Sequence, residues 1–253
     1  MTFERLHDIT VLKVRYTTES ALAISAGDQP AEIMESPVIK LGGKPVIPGS
    51  SLKGALRSTL EAMLSELGHE VCIPFAAIPR RYRRREEQQK YVSKLGRRAP
   101  CDNIDNPCPV CRIFGTVGGQ AGLSGKALFL DAVVEGEQGV DYELIERSHV
   151  AITRDTKSQS EGSLMSLQAV DAGATFRGDI RMINAELWEV GAILRALEGV
   201  ELLGMGAKKT AGYGDLSIEA EGIEVLRFDG QDWQATPADK GPYLGAFAQR
   251  AGV

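Results

Sequence analysis

Apolar and polar positions alternate over residues 8–26, which predicts a β-strand. The next stretch, GDQPAEIMESP at residues 27–37, has no such alternation and predicts a loop. It is followed by PVIKLGGKPVIP, which predicts a hairpin turning at Gly42-Gly43, because glycine reaches the positive φ angles of tight hairpin turns.

A helix from about Ser51 to Leu67 is the clearest predicted element. Its leucines fall in one stripe at a spacing of 3.6 residues. Ser51 is the predicted N-cap, and Gly68 is the predicted stop.

The stretch PGSSLKG places two hydroxyls and a lysine where this helix begins. A helix N-terminus exposes unpaired backbone N–H groups and a partial positive charge, and it can bind phosphate or carboxylate groups. Lys53 and Arg57 lie one turn apart at the edge of the apolar stripe. We expect both side chains to project beside the same anion.

Beyond this helix the pattern changes several times. It first predicts a polar insertion with cysteines at residues 69–115 and a strand at ALFLDAVVE. A long hairpin with a polar tip follows at residues 148–182, and then an amphipathic helix at AELWEVGAILRALEGV. The last segments are a glycine-rich loop running into a strand at LLGMGAKKTAGYGDLSIEAEGI and a weakly periodic tail from about Phe228. Strands that return between two helices indicate an α+β sandwich of ferredoxin-like type with large insertions.

Composition allows one large domain or two small ones. The chain has 253 residues, of which 43% are hydrophobic, so a sizeable core can form. It contains no run of about 18 apolar residues. Its first residues are charged and alternating, unlike a secretory signal. We therefore expect a cytoplasmic protein with no membrane partner.

The charge distribution is uneven. The net charge of −5 by itself argues against a nucleic-acid partner. Residues 80–98, however, hold nine Lys/Arg and two Glu, a local charge of +7, so the other residues sum to −12 (20 basic, 32 acidic). Such a basic segment either binds a polyanion or is a solvated surface, and charge patterning alone does not separate the two.

All four cysteines lie in the polar insertion, which suggests a structural zinc site. Cys108 and Cys111 form a CxxC pair, Cys101 is the predicted third ligand, and Cys72 or His69 is the fourth. A stable disulfide is disfavoured in the cytoplasm. The alternatives are free buried cysteines and a redox pair. The zinc would pin a long insertion that lacks a core of its own.

The loop GMGAKKTAGYGDL combines glycines with charge. Glycines let backbone amides approach a ligand closely, Lys208 and Lys209 add positive charge, and Tyr213 is a candidate for stacking on a base or ribose. The loop lacks the GK[ST] of a Walker motif, and the strand that follows it excludes the Rossmann pattern. The alternative is a flexible turn.

Four segments in this order resemble the RAMP superfamily of CRISPR-associated proteins: PVIPGSSLKGALRSTLE, CPVCRIFG, SHVAITRDTKSQSEGSLMSLQAVDAGATF and GMGAKKTAGYGDL. The resemblance covers about residues 8–220 and points in particular to the repeated backbone subunit of type III effector complexes, of the Csm or Cmr type. It implies a ferredoxin-like (RRM-like) palm at about residues 8–68, 116–147 and 177–222, a cysteine-rich and basic insertion at 69–115, a thumb hairpin at 148–176, and a tail at 223–253.

The resemblance also implies partners. Copies of the chain would stack along one guide RNA (crRNA) with other type III subunits, and would contact target RNA. The thumb would wedge apolar residues into the guide–target duplex. The RNA-binding candidates implied in this way are Ser50, Ser51, Lys53 and Arg57, the loop residues Gly204, Gly206, Lys208, Lys209, Gly212, Tyr213 and Gly214, and the thumb residues Arg154, Leu164 and Met165.

In the family, an aspartate directly before an (Asn/Ser)-Pro-Val-Ile run is required for metal-assisted cutting of target RNA, with Mg²⁺ or Mn²⁺ as the expected ion. Here Glu35 stands at that position, and Asp28 is the other candidate carboxylate. Glutamate keeps the charge but moves the carboxylate by roughly 1 Å, a displacement that can cost about a hundredfold in rate. We therefore expect a slow nuclease or a scaffold that does not cut.

Two other functions stay open on the sequence. One is a stand-alone endoribonuclease that processes precursor guide RNA; the scattered histidines give it no motif support. The other is a zinc-stabilised interaction module without RNA, against which the lysine-containing loop and the basic segment argue.

Overall fold

The computed structural model describes residues 4–25, 37–74, 78–79, 81–82, 84–96, 99–101, 105–117, 122–149 and 165–253. An antiparallel sheet with helices packed on one face gives the chain a mixed α/β fold. No helix within these ranges is long and apolar enough to cross a membrane.

The elements alternate between strands and helices along the chain. The strands are β1 (Ile9–Thr18), β2 (Lys40–Leu41), β3 (Lys44–Ile47), β4 (Gly115–Thr116), β5 (Leu123–Ser124), β6 (Ala127–Phe129), β7 (Ala132–Val134), β8 (Leu144–His149), β9 (Met165–Val170), β10 (Thr175–Ile183), β11 (Leu216–Phe228) and β12 (Trp233–Ala238). The helices are α1 (Gly49–Glu66), α2 (Arg85–Lys94), α3 (Pro109–Phe114), α4 (Leu187–Leu203) and α5 (Lys240–Ala251), with a 3₁₀ turn at Lys209–Ala211.

Eight strands form the main sheet. Their order is β12-β11-β1-β10-β7-β3-β2, and β6 pairs with β10 beside β7. The central strand β1 is antiparallel to both neighbours, with Leu12 opposite Ile180 on one side and Ile223 on the other. β8 and β9 form a separate hairpin, as do β4 and β5.

The main core lies between this sheet and helices α1 and α4. Alternate residues of β1, namely Leu12, Val14 and Tyr16, are buried there. The helical stripe of α1, including Leu56 and Leu60, is buried against them. Apolar residues recur every second position in β1 and about every 3.6 positions in α1, and both sets face the same core.

The opposite face of the sheet carries charges that are paired across strands. Lys13 Nζ lies 2.6 Å from Glu224 Oε1. Arg15 pairs with Glu219, and its Nε lies 3.3 Å from Glu221 Oε1. Cross-strand pairs of opposite charge stabilise a half-solvated sheet modestly.

The first predicted hairpin and the first predicted helix agree closely with the structure. β2 and β3 confirm the hairpin at Gly42-Gly43, where both glycines have positive φ. Gly68 follows the end of α1 at φ 80°, as expected of a stop. The predicted N-cap, Ser51, is wrong: α1 begins at Gly49 and its N-cap is Pro48. Pro48 can stand there because its missing N–H would have no helical partner.

Three other elements differ from the predictions. ALFLDAVVE forms two strands, β6 and β7, because residues 130–131 leave the ladder between them. The single hairpin at residues 148–182 is wrong, since β8 pairs with β9 while β10 joins the main sheet. The weakly periodic tail forms β12 and α5, and Tyr243 and Phe247 of α5 are buried in the main core.

The insertion has a small core of its own, contrary to expectation. Ile73, Ile78 and Val92 are buried together, and the rings of Tyr82 and Tyr91 stack beside them at 4.8 Å. The cysteines belong instead to the main core. Helix α2, which carries part of the basic segment, is thus anchored by an apolar cluster of its own.

Candidate metal centre and nucleic-acid interface

The four cysteines form one buried cluster, and their sulfur atoms all lie within 4.8 Å of one another. Cys72 Sγ is 3.3 Å from Cys111 Sγ and 3.6 Å from Cys108 Sγ. A disulfide needs about 2.05 Å, so these sulfurs are not bonded. Four sulfurs at about 2.3 Å from one zinc ion would stand about 3.8 Å apart, and the cluster therefore could hold a metal ion such as zinc.

Local structure explains why the CxxC sulfurs converge. Cys108 is the N-cap of α3, and Pro109 occupies the first helical position. The Cys111 N–H donates to Cys108 Sγ at 3.4 Å, and the Cys108 N–H donates to Cys101 Sγ at 3.2 Å. Hydrogen bonds from amides favour the charged form of sulfur, which is the form that binds metal.

The thiols share their protons unevenly. Hydrogen bonding with Cys101 lowers the pKa of Cys108, whereas hydrogen bonding with Cys101 raises the pKa of Cys72. Four neighbouring thiolates in one buried site repel one another. A dication removes this conflict, because a coordinated thiol is deprotonated outright.

His69 does not join the cluster. Its Nε2 lies 3.3 Å from the carbonyl oxygen of Ala251, in the last residue of α5. Cys72 is the residue that completes the set of four sulfurs. Of the two residues that the sequence left open, the geometry therefore favours Cys72 over His69.

Arg57 points at the cysteine cluster. Its Nη2 lies 3.4 Å from Cys111 Sγ, its Nη1 donates to the Gly115 carbonyl oxygen at 2.7 Å, and its Nε donates to Glu61 Oε1 at 2.9 Å. Burial acts to lower the pKa of Arg57, but the hydrogen bond to Glu61 and the charge of Cys111 hold it above its ordinary value. Two of these partners, Cys111 and Gly115, belong to α3 and to the residue that follows it. The expected contact of Arg57 with an anion at the start of α1 stays a prediction.

The start of α1 is capped by a carboxylate of the chain itself. The Gly49 N–H donates to Asp131 Oδ1 at 2.7 Å, and the Ser51 N–H bonds back to the Pro48 carbonyl oxygen at 2.9 Å. A Cβ at Gly49 would stand 2.1 Å from the backbone oxygen of Phe129, so glycine permits this close approach. The amides of this helix end are therefore largely satisfied within the chain.

Side chains at the same end remain accessible. Ser50 is exposed, whereas Ser51 and Lys53 are half-buried. Burial, together with the charge of Arg57, lowers the pKa of Lys53. The Lys53 ammonium has no ion-pair partner in the described part of the chain. An external anion at this end would thus contact mainly the hydroxyls of Ser50 and Ser51 and the Lys53 ammonium. The backbone N–H groups of the helix would contribute less.

The glycine-rich loop folds back on the segment that follows β1. The Ala207 N–H donates to the Ala23 carbonyl oxygen, and the Gly214 N–H donates to the Ala21 carbonyl oxygen, both at 2.9 Å. A Cβ at Gly206 would lie 2.7 Å from the same Ala23 oxygen. The positive-φ glycines of this loop are Gly204, Gly206, Gly212 and Gly214. Close backbone packing within the chain is a sufficient reason for glycine at 206 and 214, and the approach of a ligand to this loop stays a prediction.

Residues 21–25 join several of the segments singled out by sequence. The backbone of Leu22 exchanges hydrogen bonds of 2.7 and 2.9 Å with Val170, at the base of the β8–β9 hairpin. The Ile24 carbonyl oxygen accepts the Ile39 N–H at 3.2 Å, on the path to β3 and α1. With the contacts of Ala21 and Ala23, one short segment holds the hairpin, the glycine-rich loop and the approach to α1 together.

The loop presents its lysines but not its tyrosine. Lys208 and Lys209 are exposed. Tyr213 is 4% exposed and packs in a cluster with Leu167, so the expected stacking on a base or ribose is not open to it. Arg147 of β8 is exposed and lies over the Tyr213 ring, 5.6 Å from its centroid. Arg147 could not be singled out from the sequence, because one arginine in LIERSH carries no motif signal.

Several predicted residues lie outside the described residues. These are Asp28, Glu35, Arg154 and Leu164. Met165 begins β9, and its side chain is also outside the description.

Comparison with known proteins gives one family. The family model described as the RAMP superfamily matches residues 15–217, which is well over half of the 253 residues. No curated protein matches the chain. The matched range runs from β1 to the first residues of β11, so it includes both the cysteine cluster and the glycine-rich loop.

Proposed function

The chain belongs to the RAMP superfamily, and from this premise we propose that it is a guide-RNA-binding backbone subunit of a type III CRISPR effector complex. Copies of it would stack along the guide RNA with other subunits and contact target RNA through the β8–β9 hairpin. The family supports a CRISPR-associated, RNA-binding role. The subtype, the stacking and the target contacts are the proposal.

The observation that carries the proposal is the junction at residues 21–25. Its backbone bonds to Val170 and Ala207 bring the base of the hairpin and the lysine-bearing loop to one place. Segments that are far apart in sequence thus form one surface. Contacts directed at the RNA backbone need such a surface, and they confer binding without sequence preference.

Electrostatics supports the same surface. Lys53, Lys208 and Lys209 form no ion pair within the described ranges. The charges on the open face of the sheet, such as Lys13 and Arg15, are instead paired with glutamates. An unpaired ammonium can exchange its counterion for a phosphate, whereas a paired one must first lose its partner.

The order of the elements supports a ferredoxin-like palm. The chain runs β1, α1, β6/β7, β10, α4, β11, and these strands lie side by side in the order β11, β1, β10, β6/β7. A split βαβ arrangement with two helices on one face would have this strand order, which supports the proposed palm. The insertion after α1 and the β8–β9 hairpin are then additions to that palm.

We propose zinc as the ion of the cysteine cluster. Cys72, Cys101, Cys108 and Cys111 would hold it, and its chemistry would be structural, with four thiolates closing the site. The chain's own residues then fasten α3 to α1 through Arg57 and to α4 through the ion pair of Arg112 with Glu189. We expect about one zinc per chain by elemental analysis, and its removal should lower the melting temperature.

Binding to RNAs of unrelated sequence tests the RNA proposal. We expect the full chain to bind them with similar affinity, with the logarithm of the binding constant falling linearly with the logarithm of salt concentration, because phosphate contacts release counterions. Fluorescence anisotropy at several salt concentrations measures this. Binding confined to one sequence, or no binding at low salt, would contradict the proposal.

For target cutting we propose a slow nuclease or a non-cutting scaffold, since Glu35 replaces the aspartate of the family pattern. The test is cleavage by the reconstituted complex with Mg²⁺ or Mn²⁺. Faster cutting by Glu35→Asp than by wild type is the expected result. The proposal would be refuted if wild type cut target RNA as fast as Glu35→Asp and Glu35→Ala abolished the cutting. Loss of cutting only in Asp28→Ala would move the catalytic site to Asp28.

A further inference from the structure

Arg57 lies in the middle of α1 and contacts the cysteine cluster. The side chain is 15% exposed, and its nitrogens contact a sulfur, a carbonyl oxygen and a carboxylate of the chain. We propose that Arg57 is a positioning residue of the metal centre, which balances the charge of its thiolates, and that it is not a phosphate ligand. This inference rests on the proposed metal.

The charge of the centre is the first argument. Four thiolates and one dication leave a net charge of −2 in a buried site. Such a charge is costly in the interior unless a cation or hydrogen-bond donors lie beside it. Arg57 supplies a donor to the sulfur, because its Nη2 lies 3.4 Å from Cys111 Sγ, and its positive charge is shared between that sulfur and Glu61.

The anchoring of the guanidinium is the second argument. Glu61, one turn further along α1, holds Nε at 2.9 Å, and the Gly115 carbonyl oxygen holds Nη1 at 2.7 Å. Gly115 follows directly after α3, which carries Cys111. The planar fork of arginine therefore bridges α1 to the metal-bearing helix, a geometry that lysine cannot reproduce.

The third argument is that few donors of Arg57 remain for RNA. Three of the five N–H donors of Arg57 are engaged by these partners, so a phosphate contact would have only the remaining two to use. Lys53, one turn closer to the start of α1, has no such ties within the described residues. Lys53 and Arg57 look equivalent in the sequence. In this proposal Lys53 belongs to the RNA site and Arg57 belongs to the metal centre.

Zinc affinity tests the proposal, measured by competition with a chelator of known affinity. We expect Arg57→Met to weaken zinc binding by about 10- to 100-fold, the usual effect of removing a partner of a metal ligand. Arg57→Lys should lie between Arg57→Met and wild type. Arg195→Met is the matched control, because Arg195 is an exposed arginine paired with Glu198 on α4; its zinc affinity should equal that of wild type.

RNA affinity, measured with zinc saturating, separates this role from phosphate binding. Arg57→Met should then bind guide RNA within about twofold of wild type, whereas Lys53→Ala should bind more weakly. Unchanged zinc affinity in Arg57→Met, or loss of RNA affinity equal to that of Lys53→Ala, would overturn the proposal. A wild-type chain that holds no zinc would remove its premise. Failure of wild type to bind RNA would contradict the proposed function, but the comparison of zinc affinities would remain valid.

Discussion

Tyr213 is a structural residue of the glycine-rich loop. Its ring is 4% exposed and packs with Ala21, Ala23 and Leu167, which belong to the junction and the hairpin. We expect a residue buried in this way to act through the packing of the loop and not by stacking on RNA. We therefore separate its packing role from a stacking role with two variants that both remove the ring, only one of which keeps apolar bulk in the cluster.

We expect Tyr213→Leu to retain RNA affinity within about twofold, because leucine keeps apolar bulk in the cluster. Tyr213→Ala should reduce the free energy of unfolding by about 3–5 kcal/mol, as for other large-to-small core changes. Chemical denaturation and fluorescence anisotropy measure the two quantities. If Tyr213→Leu lost about 1–3 kcal/mol of RNA-binding free energy while staying folded, Tyr213 would be stacking on a base.

Glu189 is a fully buried carboxylate between two cations. Its Oε1 lies 2.6 Å from Arg112 Nε and its Oε2 lies 2.7 Å from Lys126 Nζ. Removing one member of a buried charge network leaves the others uncompensated, so Glu189→Gln should cost about 3–5 kcal/mol of stability. The control is Glu198→Gln, which breaks an exposed pair and should cost under about 1 kcal/mol. Equal effects in urea denaturation would show that burial is not the cause.

At the scale of elements, α4 and α5 pack closely through Gly191. A Cβ at Gly191 would lie 2.1 Å from the backbone oxygen of Tyr243, whereas a Cβ at Gly54 in α1 would meet nothing within 4 Å. Alanine is the better helix former at both positions by about 1 kcal/mol. We expect Gly54→Ala to raise the melting temperature and Gly191→Ala to lower it. A rise in both would mean that α5 does not pack on α4 in this way.

Local rules predicted what depends on neighbours in sequence. The turn at Gly42-Gly43, the stop at Gly68 and the two long helices follow from glycine conformations and apolar periodicity. The clustering of the cysteines also followed from spacing, with Cys72 as the one member left undecided. The tail was missed, because β12 is mostly exposed along its length and carries no apolar alternation to read.

Side-chain partners were the part that the sequence could not supply. Arg57 and Lys53 lie on one stripe edge, yet Arg57 meets Cys111, which is 54 residues away in the chain. Tyr213 is buried by residues contributed by β9 and by the segment after β1. Such encounters depend on how distant elements pack, and no local propensity encodes them.

At the scale of the whole molecule, the charged surfaces divide into paired and unpaired regions. The open face of the sheet neutralises its own charges across strands, as Lys13 and Arg15 do. The glycine-rich loop, in contrast, exposes Lys208 and Lys209, and neither forms an ion pair among the described residues. The net charge of −5 is therefore compatible with the proposal that RNA binds at the glycine-rich loop.

The most direct test of this account compares two double variants, each of which removes two positive charges. We expect Lys208→Ala/Lys209→Ala to weaken guide-RNA binding at least about tenfold and to reduce the slope against salt by up to about 2. Lys13→Ala/Arg15→Ala should leave both quantities within about twofold of wild type. Equal losses in the two variants, or a larger loss from the sheet pair, would contradict the assignment of RNA to the glycine-rich loop.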